Sequence, residues 1–496
     1  MLVHKENRKL RFIKIIEKFL IFNFSILLSQ DSFNSSNPIE NLLSEKEFSG
    51  SLIRPILRKK GISLNNISFS IDNFFNSGFT NLDNNGSIIA YPGNSTYLSF
   101  NYRLFNKFLY IKFNPTQELI RSNQINNLTR GNFQYLNDKY SSGKNKISLG
   151  QSTFSLHVKN IAIGISSENM WVGPGFHSSL SMSNNAPGFE HYYIGTLRQI
   201  KFSNYGLNFR YMISERKNQE STFFHTSLAS SITIYNKPTI TLGFNRVYLS
   251  GGIDQIMWSI EDASKIVFEP LFGSNKKNSS DYSDLYGVQP DYWDPWDQLL
   301  VGYINAHFPE NNAHLYLEIG TDDSRANMID LKAHWDHSIG YILGFKKYGI
   351  FDNESLFFGI EMMSNKTTSN TLNPKFYRGD WNGRNFYDRD IYLYSSYEGR
   401  RWGAHSGSDS DDKIVLFGYS KNSDVILATF NIERHGIVSQ SFPEFKRECT
   451  FLIQKKLNNI LYSVFIEKEH VMNYNFEKRK KAEISNILGF SINYSI

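Results

Sequence analysis

The segment LGFSINYSI, Leu488 to Ile496, ends the chain and shows most clearly the pattern on which the fold prediction rests. Small or polar residues separate its apolar ones, which are Leu488, Phe490, Ile492, Tyr494 and Ile496. Successive side chains of a β-strand point to opposite faces, so this alternation predicts a strand with one apolar face and one polar face.

The same alternation recurs upstream, from residue 96 onward, in pieces of about ten residues. Clear examples are Leu98–Leu104, Ile161–Ser166 and Leu315–Gly320. This is roughly the length that a tilted strand needs to cross a bilayer. A soluble β-sandwich with one wet face alternates in the same way, so alternation alone leaves both classes open.

The connections between these pieces separate the two classes. Tight turns rich in Asn, Gly or Pro alternate with long polar stretches, as periplasmic turns alternate with extracellular loops in membrane barrels. The predicted turns are Asn106-Lys107, Lys159-Asn160, Asn204-Tyr205-Gly206, Asn236-Lys237-Pro238, Glu310-Asn311-Asn312, Asn422-Ser423 and Asn458-Asn459. The predicted long stretches are 116–146, 168–191, 249–295, 365–388, 435–446 and 469–484. The chain is therefore predicted to be all-β, a transmembrane antiparallel barrel of about 18 to 20 strands.

Three regions follow along the chain. Basic residues precede the apolar run Phe19–Ser29, so residues 1–30 are predicted to be a signal peptide. Residues 31–95 are assigned to a short N-terminal periplasmic segment or plug with a possible first strand, and residues 96–496 to the outer-membrane barrel. The final strand is similar to the signal that the bacterial barrel-insertion machinery reads, although Ile496 stands where Phe is usual.

Composition excludes several classes of protein. The chain has a single cysteine, Cys449, so no intramolecular disulfide forms. Its formal net charge of +6 is spread along 496 residues, unlike the concentrated basic stripe of a nucleic-acid-binding protein. The sequence lacks a G-x-S-x-G elbow, an H-E-x-x-H motif and a phosphate-binding loop. We therefore predict neither an enzyme nor a cofactor or metal site.

The most distinctive stretch, SENMWVGPGFHSSLSMSNNAPGFEHYYIG, runs from Ser166 to Gly195. Glycine permits positive φ and a close backbone approach, whereas proline fixes its own φ and restricts the residue before it. Its candidate loop-shaping or polysaccharide-binding residues are Trp171, Gly173, Pro174, Gly175, Asn184, Asn185 and Pro187. We expect this loop to be packed against the rest of the protein.

This stretch resembles the hallmark of the Wzi capsule-assembly family, Trp-Gly-Pro-Gly followed by Ser-Asn-Asn-Ala-x-Pro. Matching positions are Trp171, Gly173–Gly175 and Ser183–Pro187. Further resemblance lies in Ile240–Gly252, in Asp294–Pro309 and in Tyr397–Asp412, so that it covers roughly residues 96–496. The resemblance implies an outer-membrane barrel of 18 strands, a lumen occluded by inward-folded loops, and binding of capsular polysaccharide at the cell surface.

Two further groups are candidate polysaccharide contacts. The segment Asp281–Asp297 interleaves aromatic rings with carboxylates, which suit the C–H patches and hydroxyls of a sugar. Its candidate residues are Tyr292, Trp293, Asp294, Trp296 and Asp297. An aromatic girdle at the membrane interface is the equal alternative. Arg400 and Arg401 are placed to meet uronic-acid carboxylates or lipopolysaccharide phosphates.

The sequence leaves two functions open. The leading hypothesis is a non-catalytic outer-membrane protein that binds capsular or extracellular polysaccharide and assists its assembly and attachment. Its partners would be that polysaccharide, outer-membrane lipid and lipopolysaccharide, and the insertion machinery during biogenesis. The alternative is a porin-like channel whose polar lumen passes small solutes.

Overall fold

The fold was analysed in a computed structural model. The structure describes residues 51–55, 66–80, 83–121, 144–218, 221–251, 259–268, 296–322, 338–366, 386–387, 395–398 and 400–496. Within these residues, eighteen antiparallel strands form one closed barrel. The predicted fold class and strand number are therefore confirmed.

The barrel strands are numbered β1 to β18 in chain order, and β3, β4 and β6 are each interrupted by a short irregular stretch. Their bounds are β1 Asn66–Asn76, β2 Gly93–Phe105, β3 Leu109–Phe113 and Thr116–Arg121, β4 Lys144–Ser148 and Thr153–Val158, β5 Ile161–Ser166, β6 His191–Thr196 and Ile200–Phe202, β7 Tyr205–Asn218, β8 Ser221–Ile234, β9 Thr239–Gly251, β10 Trp296–Phe308, β11 Ala313–Asp322, β12 Ile339–Ile350, β13 Asn353–Ser364, β14 Ser410–Lys421, β15 Asp424–His435, β16 Glu444–Leu457, β17 Ile460–Met472 and β18 Glu483–Ser495.

The remaining elements are short. Two antiparallel pairs of two-residue strands join Ile53–Arg54 to Trp171–Val172 and Ser396–Tyr397 to Arg400–Arg401. Helix α1 spans Ile260–Ile266, and a single 3₁₀ turn covers Tyr474–Phe476. No helix in the described ranges is long and apolar enough to cross a bilayer.

The barrel closes where the last strand meets the first. β18 pairs with β1 in antiparallel register from Ser68 opposite Ser495 to Phe75 opposite Leu488. β1 pairs on its other edge with β2. The possible first strand in residues 31–95 is thus a full barrel strand, and the barrel begins at Asn66, earlier than residue 96. Alternation in β1 is interrupted by Asp72 and Asn73 at adjacent positions, which obscured it in the sequence.

Side chains along the strands alternate between membrane and lumen as predicted. In β4, Phe154, Leu156 and Val158 are exposed on the outer face, whereas Ser155 and His157 are buried in the interior. The terminal strand follows the same rule, with Leu488, Phe490 and Tyr494 on the outer face. These outward-facing apolar side chains form the band that contacts the hydrocarbon of the membrane. In a membrane barrel, only every second residue of a strand faces lipid.

Most of the predicted turns are confirmed. Left-handed residues stand in the turns at Lys159, Asn312, Asn422 and Asn458. The turn predicted at Asn204-Tyr205-Gly206 lies one residue earlier in the chain, because Tyr205 already pairs with Phe202 across the two strands. The β12–β13 turn was missed, because its left-handed pair Phe351-Asp352 begins with an aromatic residue instead of Asn or Gly.

The lumen is filled on one side. One apolar cluster packs Phe189 and Trp402 against the inner wall, and a second packs Phe176 and Leu180 against β11 to β14. Residues 51–55 belong to this filling, because Leu52 and Ile53 are buried in the first cluster. The assignment of residues 31–95 to a periplasmic segment or plug stays a prediction. The rest of residues 31–65 lies outside the described part of the chain.

Two nearby residues of β17 that face opposite sides of the barrel wall should respond differently to the same substitution. Ile466 is exposed to lipid at the middle of the strand, whereas Ser463 lines an interior cavity. We expect Ile466→Arg to reduce the stability of the barrel folded in lipid vesicles by about 2–4 kcal/mol. Ser463→Arg is the control and should cost much less. Equal losses for both variants, measured by denaturant titration in vesicles, would contradict the assigned facing.

Candidate functional site

The loop between β5 and β6, residues 167–190, lies inside the barrel and is bound to its wall by buried carboxylates. Glu361 on β13 accepts hydrogen bonds from the backbone N–H groups of Phe176 (2.8 Å) and Ser178 (2.6 Å). Glu318 on β11 accepts one from Leu180 at 3.0 Å. These bonds give buried N–H groups of the loop their acceptors, so the wall holds the loop in one conformation.

The Gly-Pro-Gly sequence lets this loop approach the wall. Gly173 has φ +123°, and a β-carbon there would collide with the Glu318 carboxylate. A β-carbon at Gly175 would collide with the carbonyl oxygen of Ser178. Between them, the carbonyl oxygen of Pro174 accepts a hydrogen bond from Lys346 Nζ at 2.8 Å. Glycine is needed at these two positions because backbone and wall carboxylates occupy the space of a side chain.

A second inward loop, within residues 395–409, packs on the first. The backbone N–H of Ser183 donates to the Trp402 carbonyl at 2.7 Å, and Asn185 Nδ2 donates to the Arg401 carbonyl at 3.1 Å. Tyr387 joins the two loops, since its hydroxyl donates to the Leu180 carbonyl at 2.5 Å. The two loops form a single hydrogen-bonded unit.

A third segment, Asp83 to Tyr91, completes this plug. The backbone N–H of Gly86 donates to the Asn184 carbonyl at 2.6 Å, and Arg400 Nη1 donates to the Gly86 carbonyl. Asn84 Nδ2 donates to the His177 carbonyl at 2.6 Å. We use "plug" below for the three segments 83–91, 167–190 and 395–409 with residues 51–55. Its parts are held to one another and to the wall by specific bonds.

The structure brings together most of the residues that the sequence singled out, and it places them in the plug. Trp171, Asn184, Asn185, Arg400 and Arg401 are all buried. Arg401 stacks on the Tyr387 ring at 4.6 Å. These side chains contact the plug and the inner wall, so their contacts are those of loop-shaping residues.

The predicted aromatic segment is only partly described. Tyr292, Trp293 and Asp294 lie outside the described residues. Trp296 and Asp297 begin β10, where Trp296 is buried against Tyr248. The glycan contact and the aromatic girdle predicted for this segment stay predictions.

The sequence analysis missed a buried chain of ionisable groups along β14 to β17. His177 Nε2 lies 3.0 Å from Asp412 Oδ2, and His405 Nε2 lies 3.2 Å from the same oxygen. His405 also lies 3.6 Å from Glu433, which approaches His435 at 3.0 Å. These ionisable groups therefore link two plug loops to the wall. In the sequence, these groups are indicated only by acidic residues at alternate positions, for instance Glu467 and Glu469 on β17.

Lys446 neutralises part of this acidic wall. Its ammonium group lies 3.1 Å from Glu433, 3.0 Å from Glu448 and 3.2 Å from Glu469, and it also pairs with Asp83 of the plug. Asp83, Glu448 and Glu469 are close enough to share a cation. Lys446 already supplies the positive charge there, and the predicted absence of a metal site stays a prediction.

A cavity of about 600 Å³ occupies the other side of the lumen, bounded by β1 to β3 and β14 to β18. Its lining mixes serine, threonine and asparagine residues with apolar side chains and extends from the turn residues Ser423 and Asn459 to His177 of the plug. The cavity thus lies on the side of the short turns. The plug closes it toward the side of the long loops.

These features define a class of protein: an outer-membrane β-barrel whose lumen is blocked by its own inward loops. The model of the family "Capsule assembly protein Wzi" matches residues 110–420, more than half of the chain. The chain belongs to the Wzi capsule assembly family, and its location is the outer membrane. The resemblance noted in the sequence is thereby confirmed.

Solved structures agree on the fold. The chain is similar to Wzi of Escherichia coli, described as an outer-membrane, carbohydrate-binding β-barrel involved in group 1 capsule assembly. The TM-score is 0.56 at 10% identity, over 93% of this chain and 98% of that one. OccK7 (OpdD) of Pseudomonas aeruginosa has a TM-score of only 0.40 at 9% identity, over 87% and 99% of the two chains. No curated protein sequence matches the chain.

The wall carboxylates predict how the plug is released. Glu361→Ala leaves the buried N–H groups of Phe176 and Ser178 without an acceptor, so we expect a loss of roughly 3 kcal/mol of stability. Chymotrypsin should then cut the folded barrel at Trp171 or Phe176. Glu354→Ala, on the exposed part of the same strand, is the control. Equal resistance of both variants to cleavage would contradict the anchoring role.

The His177–Asp412 contact predicts a pH dependence. Burial lowers the pKa of His177, but the Asp412 carboxylate outweighs burial and holds it above 6.5. A histidine with a raised folded-state pKa contributes stability that is fully present below about pH 6.5 and is lost as pH rises through the folded-state pKa. We therefore expect His177→Gln to cost roughly 1–2 kcal/mol at pH 5.5 and much less at pH 9.

The partner residue provides the control for this experiment. Asp412→Asn should also remove this pH dependence, and the double variant should cost little more than Asp412→Asn alone, because Asp412 is the partner of His177 and also contacts His405. The measurement is the free energy of unfolding in detergent at the two pH values. A cost of His177→Gln that does not vary with pH would rule out the charged contact.

Proposed function

We propose that this protein is a non-catalytic outer-membrane protein that binds exported polysaccharide and assists the assembly and attachment of capsule or exopolysaccharide. Its membership of the capsule assembly family and its fold similarity to a carbohydrate-binding barrel support this role. The observation that carries the proposal is the plug, which fills the lumen with residues fixed to the wall by Glu318 and Glu361.

A fixed plug favours binding over permeation. A porin needs a continuous aqueous path, whereas here the turn-side cavity ends against Phe176 and His177. A preorganised surface, by contrast, suits recognition, because a ligand then does not have to order the loops on binding. The aromatic segment containing Tyr292, Trp293 and Asp294 is proposed to contribute sugar contacts, on the grounds of its composition alone.

The non-catalytic part of the proposal rests on the contacts of His177 and of the nearby Ser179. His177 faces Asp412, and the neighbouring hydroxyl of Ser179 donates to the Val172 carbonyl at 2.6 Å. A serine nucleophile requires its hydroxyl to donate to the imidazole, which is a different arrangement. These contacts support a structural role for the histidine.

The test is deletion of the gene in its native host, with measurement of cell-associated and released polysaccharide. We expect total synthesis to stay unchanged while polymer moves into the medium, and the wild-type chain to restore retention. Tyr292→Ala with Trp293→Ala should restore it less well than Phe202→Ala, an exposed aromatic control at the turn side. Unchanged retention in the deletion strain would refute the proposal.

Conductance in planar bilayers separates the proposal from a porin. We expect the purified wild-type barrel to be nearly closed, since described loops fill the lumen above the cavity. A large, steady conductance would instead favour the channel. The Glu361→Ala barrel is the useful companion, because releasing the plug should raise the conductance of the same barrel.

A further inference from the structure

A buried arginine near the loop-side rim of the barrel lacks a charged partner. Arg216 lies on β7, opposite Phe223 of β8 and two residues before Asn218, the last residue of β7. Its side chain points into the barrel and is 9% exposed. Among the residues that the structure describes, Arg216 pairs with no carboxylate, and its Nε and Nη2 donate no hydrogen bond.

Aromatic rings surround the guanidinium group. It lies 4.4 Å from the ring centre of Trp402, 4.7 Å from Phe223 and 5.3 Å from both Phe189 and Tyr397. Such rings attract a cation through their faces. An aromatic ring is a much weaker acceptor for an N–H group than an oxygen atom, and Nε and Nη2 have no oxygen or nitrogen acceptor among the described residues.

Two neighbours of Arg216 also carry buried nitrogen atoms without a partner among the described residues. The indole Nε1 of Trp402 donates no hydrogen bond, and neither ring nitrogen of His225 has a partner. Both residues are buried, and their rings lie 4.3 Å apart. Three adjacent buried side chains therefore present N–H groups to the same region. Buried donors are almost always paired, so their joint lack of acceptors points to a ligand.

Another inward arginine shows what a satisfied guanidinium looks like in this barrel. Arg246 on β9 donates from Nε to Gln298 at 3.3 Å, from Nη1 to the Val267 carbonyl at 3.0 Å and from Nη2 to Gln298 at 3.1 Å. Its charge is distributed over fixed oxygen atoms. Arg246 thus differs from Arg216, whose Nε and Nη2 have no acceptor among the described residues.

We propose that Arg216, with Trp402 and His225, binds the carboxylate of an acidic sugar. The Nε and Nη2 groups form the side of the guanidinium that matches a carboxylate with two parallel hydrogen bonds. The surrounding rings supply the aromatic faces that pack against the C–H patches of a pyranose. Half-buried Tyr397 lies at the outer edge of this group. This inference rests on the proposed function and specifies its ligand as an acidic polysaccharide.

The test is calorimetric titration of the full-length purified barrel with methyl glucuronide, methyl glucoside, acetate and inorganic phosphate. We expect methyl glucuronide to bind most tightly. Arg216→Met should weaken it about 10- to 100-fold, the loss expected for one charge-assisted bidentate contact. Arg216→Lys should weaken it less, because the charge remains. The neutral glucoside should bind all variants equally weakly.

Thermal stability separates a binding role from a structural one. Without ligand, Arg216→Met should raise the melting temperature, because it removes a buried charge that has no partner, and glucuronide should no longer raise it further. Arg246→Met is the control: it should lower the melting temperature and leave glucuronide affinity unchanged. A destabilised Arg216→Met barrel that still binds glucuronide normally would overturn the proposal.

The remaining outcomes also decide the matter. Phosphate or acetate binding as tightly as glucuronide would overturn the assignment to a sugar acid. Failure of the proposed function is distinguishable, because it is measured as polysaccharide retention by cells. If polysaccharide retention by cells requires this protein but not Arg216, the proposed site is wrong and the proposed function stands. If retention is independent of the chain, the glucuronide titration still tests the site by itself.

Discussion

The closed ladder of backbone hydrogen bonds between β18 and β1 is the constraint on which the rest of the structure depends. Hydrocarbon offers no partner for an unpaired N–H or C=O group, and each such group costs several kcal/mol. A sheet that spans the membrane must therefore have no edge. Because closure fixes which face of each strand points inward, it also determines the chemistry of the lumen.

The interior that closure creates is rich in polar groups, and the plug satisfies many of them. Glu318, Lys346 and Glu361 project from β11, β12 and β13 into a region from which the apolar clusters exclude water. Each finds its partner in the backbone of the 167–190 loop. Loop and wall are mutually dependent, since the loop supplies donors and an acceptor that the wall groups need, and the wall fixes the conformation of the loop.

The sequence predicted the parts that follow from short-range periodicity. Alternation located most strands, Asn- and Gly-rich pairs located most turns, and the Gly-Pro-Gly segment indicated a packed loop. Contacts between distant segments were not predictable in this way. Nothing local in the sequence shows that His177 meets Asp412, or that Arg216 lies beside Trp402, because closure of the barrel brings these residues together. The β1 strand was obscured for a local reason, the polar pair Asp72-Asn73.

Charge is unequally distributed across the lumen. The wall of β14 to β17 carries Asp412, Glu433, Glu448 and Glu469, whose positive partners are Lys446 and the histidines. The opposite wall, β6 to β8, carries Arg216 among aromatic rings with no carboxylate beside it in the described structure. If the side chains inside the barrel only filled space, keeping these charges apart would give no advantage, because pairing them would lower the free-energy cost of burying them. For the acidic sugar proposed to bind at Arg216, this separation would place the attractive charge at the β7–β8 rim and the carboxylates on the opposite wall.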